Sequence, residues 1–294
     1  MELTMELTKF NEIDFLPALK AFLGGLNVPI NYVDDKPTSA KIILENTYKD
    51  NECFGLINDV YFVGLVDDAA FSKKQSLDID QIKSDYDGIL IFGVTLNNRN
   101  NRDYGQLPTR FLRSASLSQL AEISRAFNRE FCYTPVVIIF KYNQYLAFAN
   151  TERLKYKNNR EGEKAGKVTL LRDIDIQQPH SGHQRILAEL AIPKTGKDRV
   201  DSFAKLYQYW QKVLDVSLLN KQFYQEVSAW YFHACKQVVF PKDAKNNQES
   251  LIRLITRLMF VWFLKEKGLV PNQLFNQTDI QAILKSLQPQ ESTY

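Results

Sequence analysis

The sequence predicts an α/β N-terminal domain, a mixed sheet with covering helices, followed by an all-α C-terminal domain. Residues 89–94 form a nearly continuous apolar run rich in β-branched side chains, which suits a strand buried on both faces. A stretch at helical spacing (118–131) and a second apolar run (136–142) follow it, so strand, helix and strand succeed one another as in a sheet covered by helices. Beyond residue 202 every periodic stretch repeats at helical spacing. The expected organisation is a disordered N-terminus at 1–11, an α/β domain at 12–192 and a helical domain at 202–288. The polar connection PKTGKDRVD marks the boundary.

A chain of 294 residues, 45% apolar and 24% charged, buries a substantial core. Its formal charge of +3 is too slight to select a nucleic-acid partner by itself. Cys53, Cys132 and Cys235 are widely separated, which argues against a disulfide framework or a zinc cluster and for reduced thiols in a cytoplasmic protein. The opening MELTMELT is a tandem duplication without the basic segment and apolar core of a secretory signal, and is expected to be disordered. The longest apolar run, 258–264, is too short to cross a bilayer, so no membrane partner is expected.

Asn11 or Asp14 can start a first helix through Phe15, Leu16, Leu19, Phe22 and Leu23, with Gly24 and Gly25 ending it. That glycine pair does not follow a strand and open a helix, as a nucleotide-binding loop requires. A helix over 39–48 and a short strand over 60–66 follow, the strand ending at Asp67 and Asp68. After the strand at 89–94 comes a polar loop, 97–103. Ser116 or Ser118 then caps a helix with Leu120, Ile123, Ala126 and Phe127 on one face and Arg125 and Arg129 on another. The strand at 136–142 turns at Asn143 and Gln144 into a hairpin partner at 145–149. Residues 152–167 are a polar, basic loop, 168–171 a short strand, and QQPHSGHQ a further loop.

The C-terminal helices are expected at 202–216, 218–238 and 249–267. Asn246 and Asn247 can cap the last, and Gly268 and Pro271 end it. It is apolar nearly all round, so it requires more cover than the residues after it supply. Arg253 and Arg257 interrupt it; ion pairs with Glu249 or Glu226 are the plain reading, and DNA contact the alternative.

Three groups of residues carry candidate chemistry. A metal-dependent nuclease places an aspartate on one strand and an acid-x-lysine triplet on the next, so that carboxylates hold the metal and the lysine steadies the attacking water. Asp67, Asp68, Asp85 and Asp87 can supply the first part, whereas Lys141 lacks an acid two places before it. Aspartates at strand ends also serve simply as turn residues. His180 and His183 make half a zinc site, with a turn-stabilising or phosphate-contacting role as the alternative, and His233 reads as a core histidine. Arg153, Lys155, Lys157, Arg160, Lys164 and Lys167, interleaved with Tyr156, form the marked basic cluster of the chain. They are the candidates for binding double-stranded DNA, against a solvated turn balanced by Glu161 and Glu163.

The blocks FYQEVSAWYFHACKQVVFPKD (223–243) and SLIRLITRLMFVWFLKEKGLVPNQLF (250–275) resemble the segment just ahead of the methyltransferase domain in type IIG restriction-modification enzymes. These large proteins fuse an endonuclease, an adenine-specific DNA methyltransferase and a target-recognition region. DYDGILIFGVTL (85–96), SQLAEISRAFNREF (118–131), TPVVIIFKY (134–142) and FANTERLKYK (148–157) are similar to that family's N-terminal region. The chain lacks the glycine-rich cofactor loop and the Asn-Pro-Pro-aromatic motif of the methyltransferase. The resemblance therefore implies an N-terminal portion that contributes DNA binding or a restriction lobe and docks on a downstream or separate methyltransferase domain. S-adenosylmethionine and Mg2+ are implied for the full-length enzymes, and no cofactor for this chain. Two other readings stay open: a stand-alone nuclease using Asp67, Asp68 or Asp87 with Lys141, and a non-catalytic module docking on a separate methyltransferase.

Overall fold

The computed structural model describes residues 2–33, 36–72, 88–97, 116–155, 163–179, 181–196, 199–240, 246–266, 269–270 and 277–286. It divides into two compact units: Met1–Asn100 with Ser114–Leu219, and Asn101–Arg113 with Asn220–Tyr294.

The first unit is built on a six-stranded mixed sheet whose spatial order equals its chain order: β1 (Asn31–Tyr32), β2 (Ile57–Asp67), β3 (Gly88–Leu96), β4 (Val136–Tyr142), β5 (Tyr145–Lys155) and β6 (Glu163–Asp175). All neighbours are antiparallel except β3 and β4, which run parallel. A parallel pair needs a crossover, and helix α5 (Leu117–Glu130) lies in it. Alternation along the strands separates two cores. Ile89, Ile91, Val137, Ile139, Leu146 and Phe148 face one, while Leu90, Phe92, Val136, Ile138 and Phe140 face the other. The first core is covered by α1 (Glu2–Glu12), α2 (Phe15–Gly25), α6 (Ser181–Glu189) and α7 (Phe203–Val213), the second by α3 (Ala40–Ile43) and α5. Burial on both faces explains why β3 and β4 are apolar throughout instead of alternating.

Local chemistry fixes several of these elements. Ser116 accepts from the Gln119 amide at 3.3 Å while the Gln119 side chain accepts from the Ser116 amide at 2.8 Å, a reciprocal cap on α5. Gly93 lets α2 approach β3: a Cβ there would stand 2.8 Å from Phe15 Cε1 and 2.9 Å from Leu19 Cδ2. Asn143 adopts a φ of 52° in the turn between β4 and β5, which asparagine tolerates better than most residues.

Four expectations are corrected. The N-terminus is helical: Leu7 and Phe10 of α1 are buried in the first core, and the Phe10 ring meets Phe15 and Phe22 at 5.9 and 6.0 Å. An i, i+3 apolar pair in a polar repeat is enough to dock a helix when a sheet awaits it. Arg153, Lys155, Lys164 and Lys167 lie on strands β5 and β6, not in a loop. Residues 181–184 of the expected loop QQPHSGHQ belong to helix α6, which runs on to Glu189. The transition to the second unit falls at Leu219/Asn220, because Leu206 and Trp210 of α7 are buried in the first core.

Helices α8 (Val216–Ala234), α9 (Asn247–Glu266) and α10 (Gln277–Ser286) follow. Asn247 stabilises the start of α9 by bonding backwards: its Nδ2 donates to the Val238 carbonyl at 2.7 Å, and its Oδ1 accepts from the Phe240 amide at 3.0 Å. No helix among the described residues is long and apolar enough to cross a membrane.

Candidate functional site

The sheet separates the residues considered for metal chemistry. Asp67 pairs in register with Gly88 and Lys141 with Thr95, at opposite ends of β3. At about 3.3 Å per residue those rows are roughly 23 Å apart, too far for one metal and its water. Both aspartates hold backbone instead. Asp67 Oδ1 accepts from the Ala70 amide at 2.7 Å, capping helix α4 (Asp68–Phe71), and Asp68 Oδ1 accepts from the Phe203 amide at 3.0 Å, at the head of α7. Asp85 and Asp87 lie outside the described residues. No group of three metal-ligating side chains occurs among the described residues.

Lys141 has other neighbours. The register aligns Asp59 on β2, Thr95 on β3 and Lys141 on β4 in one row at the carboxyl end of the parallel pair. Thr95 Oγ1 donates to Asp59 Oδ2 at 3.3 Å and accepts from the Asp59 amide at 3.1 Å. Lys141 Nζ donates to the Phe10 carbonyl in the last turn of α1. Burial lowers the Lys141 ammonium below its ordinary value, and Asp14 partly opposes that shift. Within the row Asp59 bonds Thr95, while Lys141 is tied into the packing of α1 and feels Asp14 from the turn before α2; sequence reading missed Asp59 and Asp14 as its surroundings. The available signal was weak, since register alone brings Asp59 level with Lys141.

The basic cluster is also redistributed. Arg153 turns inward: Nη1 donates to the carbonyls of Asn128 at 3.0 Å and Cys132 at 3.2 Å, and Nη2 to those of Phe131 and Thr134. It serves the end of α5 and cannot at the same time neutralise a phosphate. Lys155 stands opposite Glu163, and Lys164 opposite Leu154, on the paired ends of β5 and β6. Lys167 is exposed on β6. Lys157 and Arg160 lie outside the described residues. Arg125 and Arg129 are exposed on α5.

His183 sits half-buried in the first turn of α6, and His180 lies outside the described residues. Cys53 is buried, and its thiol is pushed up to about 11 by that burial, with Glu122 adding to the shift, which makes it a poor nucleophile at neutral pH.

The second unit presents apolar surface. On α9, Leu254, Leu258, Val261 and Trp262 recur at i, i+4, i+7 and i+8, and all four are exposed. A second stripe, Ile252, Ile255, Thr256, Met259 and Phe263, recurs at i, i+3, i+4, i+7 and i+11, with all but Ile255 exposed. Arg253 is paired to Glu249 at 2.7 Å within the helix, as expected of a structural ion pair, and both side chains stay in solvent. Lys265 lies 3.9 Å from the centroid of the Trp262 ring. Between α8 and α9 runs a cleft of about 310 Å3, lined by Tyr224, Val227, Ser228 and Tyr231 on one side and Ile252, Ile255, Thr256 and Met259 on the other.

No family model, no curated protein and no solved structure matches the chain.

Proposed function

We propose that this chain is the N-terminal portion of a type IIG-like DNA restriction-modification protein, in which the helical unit docks on a methyltransferase domain and the α/β unit engages DNA or serves as a restriction lobe. The observation that supports this most directly is the exposed stripe Leu254, Leu258, Val261 and Trp262. Large apolar side chains at helical spacing on a solvent-facing stripe mark a surface that a partner covers. The resemblance of 223–243 and 250–275 to the segment preceding a methyltransferase supplies the partner.

For the stand-alone nuclease reading, Asp67 and Asp68 offer no support, because they are held by backbone amides far from Lys141, and its third candidate, Asp87, lies outside the described residues. The DNA-engaging role rests on Lys155, Lys157, Arg160, Lys164 and Lys167, without Arg153. In the full-length protein S-adenosylmethionine would belong to the methyltransferase domain.

The decisive experiment joins this chain to a methyltransferase. The DNA following its coding region is read for the cofactor loop and the Asn-Pro-Pro-aromatic motif, and the segment found is co-expressed with the chain. Co-purification that Trp262→Ser weakens at least tenfold is the expected result. A following sequence without those motifs, or a complex indifferent to Trp262, overturns the reading.

A further inference from the structure

We infer that the α8–α9 cleft and Phe263 together form a self-complementary surface through which two copies of this chain pair about a two-fold axis. The surface is centred on the stripe of α9 turned away from Leu254 and Val261, while Trp262, three residues from Met259 and seven from Ile255, stands at the border between it and the proposed methyltransferase contact.

Three observations select a second copy as the occupant. The first is a hole and a knob on one stripe. The cleft is walled on α9 by Ile252, Ile255, Thr256 and Met259, and Phe263, 53% exposed, stands one turn beyond Met259 in the same line. Antiparallel pairing of two α9 helices about an axis at Met259 sets Phe263 of each copy level with residue 255 of the other, inside that wall. An isologous contact requires this reciprocity, in which one patch supplies both the projecting side chain and its receptacle.

The second observation is charge. No residue of this stripe is ionisable, and Arg253 and Arg257 fall on another face of the helix, so like charges are not forced together as the two copies approach. Antiparallel helices also oppose their macrodipoles favourably.

The third is extent. Tyr224, Ile252, Met259 and Phe263 are between 42% and 69% exposed. At roughly 150–250 Å2 for a large side chain each shows on the order of 100 Å2, and with their surroundings on the order of 500 Å2 per copy, or about 1,000 Å2 in all. That is the lower end of specific interfaces, so the pair is weak and depends on concentration.

The test uses the full chain in sedimentation velocity, from low to high micromolar concentration. The expected result is a monomer–dimer equilibrium that Phe263→Ser weakens at least tenfold and Leu258→Ser leaves within about twofold, with circular dichroism confirming equal helix content. A residue on the two-fold axis meets its own copy, so Met259→Cys is expected to yield an oxidised dimer cross-linked through position 259. The wild type, with its own three cysteines, is the control. A chain that remains monomeric throughout overturns the inference. So does a dimer weakened equally by Leu258→Ser, or a Met259→Cys chain that gives no more cross-linked dimer than the wild type.

Discussion

Arg153 on β5 donates to the Asn128 carbonyl in the last turn of α5 at 3.0 Å, and the rest of its guanidinium closes on the turn that leads into β4. The carbonyls at a helix end have no partners within the helix, and a fork of N–H groups from a neighbouring strand satisfies several at once. Arg153 therefore joins the crossover helix to the β5–β6 hairpin.

Arg153→Ala is expected to lower unfolding stability by about 2–4 kcal/mol, since several partly buried carbonyls lose a charged donor together. Arg153→Lys is expected to recover only part of it, because an ammonium does not reproduce the planar fork. Urea denaturation of the three proteins measures both. A loss within about 0.5 kcal/mol for Arg153→Ala would return Arg153 to the ranks of the surface cations.

Gly93 makes a second stability prediction. With Phe15 Cε1 and Leu19 Cδ2 under 3.0 Å from the place a methyl group would take, Gly93→Ala must push α2 away from β3. The expected cost is about 1–3 kcal/mol, as for other small-to-large changes in packed cores. Thermal unfolding reads it, and a companion Gly24→Ala, where a Cβ meets nothing within 4 Å, serves as the control.

Tyr142 links stability to alkaline pH. Its hydroxyl donates to Asp173 Oδ1 at 3.2 Å and accepts from the Asp173 amide at 3.0 Å, at a residue whose φ is 60°. Burial first, and the Asp173 carboxylate second, raise the phenol well above its ordinary value of 10.0. A folded-state value above the unfolded one means that the contribution is complete below pH 10.0 and is lost as pH rises from there, when the unfolded chain releases the proton more readily. Tyr142→Phe should be less stable at neutral pH by about 1–2 kcal/mol. Its deficit should shrink above pH 10, where only the wild type resists ionisation at this site. A deficit that stays constant up to the alkaline unfolding limit would remove the titration argument.

Reading the fold from sequence succeeded where the signal was local. The cap of α5, for which Ser116 was one of two candidate serines, and the apolar runs of β3 and β4 depend on residues within a few positions of one another, and the mixed sheet with covering helices follows from their order. β6 was underestimated because Glu163, Lys164 and Lys167 carry no strand pattern of their own; pairing with β5 makes them a strand. α1 was missed for a similar reason, its two buried residues finding their partners on α2 and the sheet. Site residues were less legible still. Arg153 and the lysines around it look alike in sequence, and the carbonyls that distinguish Arg153 lie 19 to 25 positions away in the chain. Asp67 and Asp59 are both aspartates on β2, and only the register of three strands puts Asp59, not Asp67, level with Lys141.

DNA binding provides the last prediction, and the inward course of Arg153 sharpens it. Phosphate contacts release counterions, so the logarithm of the affinity falls linearly with the logarithm of salt concentration, with a slope of about −0.9 for each phosphate neutralised. If the paired ends of β5 and β6 carry the contact, neutralising Lys155, Lys157 and Arg160 together should flatten that slope by about two to three. Arg153→Gln should leave the slope unchanged while lowering stability, since its charge is already committed to the end of α5. Fluorescence anisotropy with a duplex of arbitrary sequence, measured below the unfolding transition of each variant, separates the two effects. A slope unmoved by the triple variant would shift the contact to Arg125 and Arg129, both exposed on α5. A slope reduced by Arg153→Gln alone would mean that the guanidinium leaves its four carbonyls to meet DNA.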